Sequence, residues 1–174
     1  MVIAIAAAAA AGIIGGAILY IGPLTRTASE PETGQRDLVM GWATPSNNAY
    51  RQVNITVNGV ELLADIAATS DQKSMGLGVK DTLNDNEAML FLFKTESKHT
   101  FWMKDMKFQI DIIWLDADKE VVHIEHSLEP CMPDSCPTYT PNDDSLYVLE
   151  TVAGFAQKYN VTEGTPVEFE LTDS

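Results

Sequence analysis

Residues 53–67 read VNITVNGVELLADIA. Val53, Ile55 and Val57 alternate with Gln52, Asn54 and Thr56, a period of two that gives a strand one apolar face. Asn58-Gly59 follows, the favoured pair for a two-residue turn because both positions take positive φ at small cost. Val60 to Ala67 then runs back, so the stretch predicts an antiparallel hairpin. Further along, Ala88 to Phe93 (AMLFLF) is a continuous apolar run short enough for a buried strand. Thr100–Met103 and Ile110–Leu115 are β-prone. The turn Asp116-Ala-Asp-Lys leads into Val121–Glu125, completing a second hairpin. Leu146–Val152 and Pro166–Leu171 add two more strands. Helical stretches are short: Gln72–Leu77, after the helix-start cluster Thr69-Ser70-Asp71, and Ala153–Tyr159. Many short strands with few helices predict a mainly β fold, a small β-sandwich or barrel-like domain with one or two short helices.

Upstream of the hairpin the composition changes twice. Residues 22–48 are rich in Pro, Thr, Ser, Gly and Glu with no sustained period, which predicts a flexible linker. Val2 to Ile21 (VIAIAAAAAAGIIGGAILYI) carries no charge. As a helix it would span roughly 30 Å, the thickness of a hydrocarbon core. The expected organisation is an N-terminal transmembrane helix in residues 1–21, the linker at 22–48, and a β-rich domain at 49–174. A cleaved signal peptide is the alternative. It wants a basic start and a small-residue cleavage site, and nothing basic precedes this run. Gly12 and Gly16 form a GxxxG pair of the kind an Ala/Gly-rich run contains by chance. Arg26 and Arg36 flank the segment on its C-terminal side and weakly argue for a cytoplasmic domain. The two cysteines argue for the outside, and we expect a single-pass membrane protein with its domain outside the cytoplasm.

The chain has 11 Lys and Arg against 25 Asp and Glu, a formal charge of -14. That surface repels phosphate backbones, so no nucleic-acid partner is expected. Cys131 and Cys136 enclose Met-Pro-Asp-Ser. In an exported domain they read most simply as a disulfide. A metal or redox role is the alternative: zinc would want further soft ligands, and redox activity a depressed thiol pKa. His99, Met103, Met106, His123 and His126 supply soft ligands suited to copper, although the first three do not share one face of a strand. No cofactor is expected. There is no Ser-His-Asp signature, no phosphate-cradling Gly loop and no His-Glu-x-x-His. Asn54-Ile-Thr56 and Asn160-Val-Thr162 are glycosylation sequons, meaningful in an exported chain.

From Met75 to Tyr147 the chain resembles the family called domain of unknown function 192, also uncharacterised protein family 0127. The matching pieces are Met75-Gly-Leu, Ala88-Met-Leu-Phe, Phe101-Trp-Met-Lys-Asp and Ile110-Asp-Ile, then Pro130-Cys131, Cys136-Pro-Thr-Tyr139 and Tyr147-Val-Leu-Glu150. The resemblance implies a mainly β, sandwich-like, envelope-associated domain with no established activity. Its most specific signature, the Phe-Trp-Met-Lys run followed by Asp111, points to a binding cleft at Trp102, Lys104 and Asp111, with Tyr139 and Glu150 as further candidates for the same cleft. A Trp offers an apolar face and a donating edge to cyclic ligands, so a small molecule or glycan fits such a cleft. The leading expectation is a membrane-anchored binding or envelope-accessory module. A hydrolase pairing Asp111 with Glu150 is the enzymatic alternative, and a copper-binding protein the third.

Overall fold

The computed structural model describes residues 50–132 and 134–171. The expected anchor at 1–21 and the whole of the expected linker at 22–48 lie outside them. Among the described residues no helix is long and apolar enough to cross a membrane.

Among the described residues nine strands form: β1 Arg51–Val57, β2 Val60–Ala67, β3 Glu87–Ser97, β4 Phe101–Trp102, β5 Ile110–Leu115, β6 Val121–Leu128, β7 Thr138–Tyr139, β8 Ser145–Val152 and β9 Val167–Phe169. Two short helices join them, α1 Ser70–Met75 and α2 Phe155–Lys158, with a 3-10 turn at Gly76–Val79. Seven strands build one sheet in the order β6-β5-β8-β3-β2-β1-β9, and β4 and β7 pair in a separate ribbon. The sheet curls into a half-barrel. The barrel-like form of the expectation is therefore the nearer one, because a single curled sheet replaces two facing sheets.

The hairpin forms as its sequence predicts. Val57 pairs with Val60 across Asn58-Gly59, whose φ values are 48° and 78°. β2 then runs parallel to β3. A parallel neighbour needs a crossover, and residues 68–86 provide it with α1 and the 3-10 turn. Thr69 caps α1 in a capping box, its hydroxyl accepting from the Gln72 N–H while the Gln72 side chain accepts from the Thr69 N–H.

Every residue of β5 is buried. Both faces of the sheet are covered, so this strand is apolar on both faces except at Asp111 instead of alternating apolar with polar. One face carries Ile55, Leu62, Leu90, Ile113, Leu149 and, from α2, Phe155. The other carries Met89, Phe91, Ile112, Trp114 and Val148, roofed by Leu77 and Met103. The crossover and the β4–β7 ribbon make this second roof, and the site lies beneath it.

A candidate ligand cavity beneath the ribbon

A cavity of about 360 Å³ opens on the second face. Its walls are Leu77, Phe91, Phe93, Phe101, Trp102 and Met106, and its polar groups include Lys73, His99, Lys104 and Glu150. Period-two alternation decides which strand residues reach it. Met89 pairs with Glu150, and Ile112 pairs with Glu150 from the other side. Residues opposite one another share a face, so Glu150 points among the apolar side chains of the second core.

Glu150 is the unusual member. It is 4% exposed, and its Oε2 has no hydrogen-bond partner. Burial pushes its carboxyl up to about 8, against a smaller opposing effect of the Leu77 backbone N–H. Gly76 brings the crossover close. Its φ of 49° and ψ of -146° lie where only glycine sits without strain. A methyl there would meet the Phe91 ring at 3.5 Å and Glu150 Oε2 at 3.9 Å.

The rest of the cavity is held by aromatic contacts and cations. Phe101 meets Phe91 edge to face at 4.9 Å and Trp114 at 5.9 Å. The His99 ring stacks on Phe93 at 3.5 Å, and its Nε2 lies 3.2 Å from the Thr95 carbonyl. Burial lowers the pKa of His99, with the carbonyl of Thr95 opposing. Lys73 Nζ donates to the Leu92 carbonyl at 2.6 Å and lies 4.5 Å from the centre of the Phe93 ring. Burial and the neighbouring charge of Lys94 lower the pKa of Lys73. Lys104 Nζ lies 5.5 Å from the centre of the Trp102 ring, and Trp102 itself is half exposed.

Three of the five residues expected to form a cleft, Trp102, Lys104 and Glu150, line this cavity. The other two stand elsewhere. Asp111 pairs with Thr151, so it leaves the opposite face of the sheet from Glu150. There it is fully buried and accepts from three backbone N–H groups: Ser127 at 2.7 Å, Gly154 at 3.0 Å and Ala156 at 2.9 Å. It fastens the start of α2 and the end of β6. The carboxylate couple of Asp111 with Glu150 does not form, because adjacent positions on paired strands put them on opposite sides of the sheet. Tyr139 pairs with Phe101 across the ribbon and packs against the core, while Thr138, opposite Trp102, lines the cavity.

The soft side chains are also dispersed. Met103 is buried in the core, and His99 and Met106 line the cavity. His123 lies against Trp114 with Glu125 3.3 Å away, and His126 is exposed. Among the described residues no three His, Cys, Asp or Glu side chains are grouped to hold a metal. Cys131 and Cys136 are joined in a disulfide, closing the loop that leads into β7.

Lys73, Phe91, Phe93 and Phe101 were not among the site residues expected from sequence. Phe91 and Phe101 sit inside the motifs that carried the family resemblance; nothing local marked Lys73 or Phe93.

Comparison with known proteins agrees with this fold. A UPF0127 protein of Thermococcus gammatolerans is 28% identical over 95 residues, covering 52% of this chain and 56% of its own. One from Thermococcus sibiricus is 28% identical over 101 residues, covering 55% and 60%. The chain thus spans somewhat over half the length of these curated relatives. A crystal structure of a protein of unknown function from Novosphingobium aromaticivorans superposes with a TM-score of 0.59 at 27% identity, covering 68% of this chain and 84% of its own. A candidate transcription regulator of Sinorhizobium meliloti, at 22% identity, shares the fold with a TM-score of 0.65, covering 71% and 98%. The family model DUF192, described as "Uncharacterized ACR", matches residues 53–169. With more than half of its length matched, the chain belongs to the DUF192 family, whose function is uncharacterised.

Proposed function

We propose that this domain is a ligand-binding module of the cell envelope, carried outside the cytoplasm by its N-terminal apolar segment, and that the cavity beneath the β4–β7 ribbon is its binding site. The observation that carries the reading is Glu150. An unpartnered buried carboxyl costs stability, and such a cost is commonly kept where the group serves a ligand. Aromatic walls with a few polar groups are the usual make-up of a small-molecule site, and a volume of about 360 Å³ suits one. The disulfide fits an oxidising compartment. The formal charge of -14 speaks against a nucleic-acid role.

Methyl-labelled NMR with a library of small aromatic compounds tests the site. Compounds should shift the Met75, Leu77 and Met106 methyls and leave Val57, on the other core face, unmoved. A library that never shifts the cavity methyls refutes the reading. For placement, a thiol reagent that cannot cross membranes should label Cys131 and Cys136 on intact cells only after reduction. Labelling that requires lysis puts the domain inside.

A further inference from the structure

We propose that the cavity takes an apolar organic anion, a carboxylate or similar oxyanion on an aromatic or alkyl body, whose charge is met by Lys104 and Lys73 and whose oxygen accepts from the carboxyl O–H of Glu150. The inference rests on the binding role proposed above and names the ligand class. Two observations carry it independently.

The first is charge. Across the whole chain acids outnumber bases by 25 to 11, yet the cavity is lined by two lysines and a single carboxyl. Distant acidic charge is screened within about 8 Å at physiological salt, so the local lysines govern what enters. Neither lysine is paired with a carboxylate in the described ion pairs. Lys73 spends one donor on the Leu92 carbonyl and keeps two, and Lys104 lies over the indole of Trp102. A cationic ligand would have to displace or tolerate both.

The second is Glu150, whose Oε2 is buried on the cavity wall without a hydrogen-bond partner. A carboxyl that burial holds protonated does not repel an anion; it donates to one. A protonated carboxyl also presents an unused donor, which an acceptor oxygen satisfies. The titratable groups facing it are Lys73 from α1, His99 from the loop after β3, and Lys104 after β4. All three, and Glu150 itself, change charge in the negative direction as pH rises. Anion affinity is therefore highest in mild acid and falls through the ionisation of Glu150.

Three probes of one shape decide the class: benzoate, benzamide and benzyltrimethylammonium, titrated into the full chain and read by the methyl shifts of Met75 and Met106. Benzoate should bind about tenfold or more tightly than benzamide, the difference made by a charge-assisted hydrogen bond. Benzyltrimethylammonium should bind more weakly still. Lys104→Ala should weaken benzoate several-fold more than it weakens benzamide, and equal losses for the two overturn the part given to Lys104. Between pH 7 and pH 9 the ratio of wild-type to Glu150→Gln affinity for benzoate should fall about tenfold, because only the wild-type loses its donor. Comparing the two chains cancels the titration of Lys73 and His99. Benzamide or the ammonium binding as well as benzoate overturns the anion assignment while the binding role stands. A constant ratio across pH overturns the part given to Glu150. Cavity methyls unmoved by all three probes overturn both proposals.

Discussion

Replacing Glu150 by Gln keeps the shape of the side chain and an acceptor for the Leu77 N–H, and removes the group that ionises. In the folded protein the carboxyl is raised from 4.5 to about 8 by burial. Between those values the folded state holds a proton that the unfolded chain has released, so wild-type stability falls as pH rises. Below 4.5 both states are protonated and there is no effect; above 8 both are ionised and the loss is complete. Each pH unit in the window is worth about 1.36 kcal/mol, and the full span about 5 kcal/mol. Between pH 5 and pH 9 the wild-type should therefore lose about 4 kcal/mol relative to Glu150→Gln. With only 4% of the residue exposed, solvent screening does little to reduce this. Urea unfolding of both chains at each pH measures it, and the other acidic groups of a chain at -14 cancel in the comparison. Parallel stability curves for the two proteins across this range would show that Glu150 is not held neutral, and would remove the physical basis for its role in the cavity.

Two further outcomes follow from the fold. Asp111→Ala should destabilise by roughly 2–4 kcal/mol, as three backbone N–H groups, one buried and two partly buried, lose their acceptor. Asp111→Asn should cost less; a loss under about 1 kcal/mol for the alanine variant, by urea unfolding, would contradict the fastening role. Opening the Cys131–Cys136 bridge by reduction, or with Cys131→Ser and Cys136→Ser together, should cost about 2 kcal/mol for so small a loop on the chain-entropy account. Equal midpoints for the oxidised and reduced forms would show that the bridge restrains nothing in the unfolded chain.

The strands were legible because their signals are local. The hairpin at 51–67 has its alternation and its turn pair within reach of one another, and it forms in register. The cluster Thr69-Ser70-Asp71 marked the start of α1 for the same reason, although the helix begins at Ser70, two residues earlier than expected. Strand ends were less legible: β3 runs on to Ser97 because it gains partners in β8, and β4 shrinks to two residues paired only with β7. Of the cleft, Trp102, Lys104 and Glu150 were found through the family motifs. Asp111 was misplaced because a motif does not say which face of the sheet a carboxylate leaves.

By itself, the sequence determined what depends on neighbours along the chain: a β-rich domain, one turn of known type, a cysteine-closed loop and an acidic surface. Tertiary structure alone decided the order of strands, the curl that replaces a sandwich by a half-barrel, and the meeting of Lys73, Phe93, Trp102 and Glu150 around one cavity. The physical reason is that strand pairing and burial join residues far apart in sequence. Glu150 shows the difference most clearly. Its presence was written in the chain, but its neutrality and its unfilled oxygen come from the apolar face and the crossover that close over it.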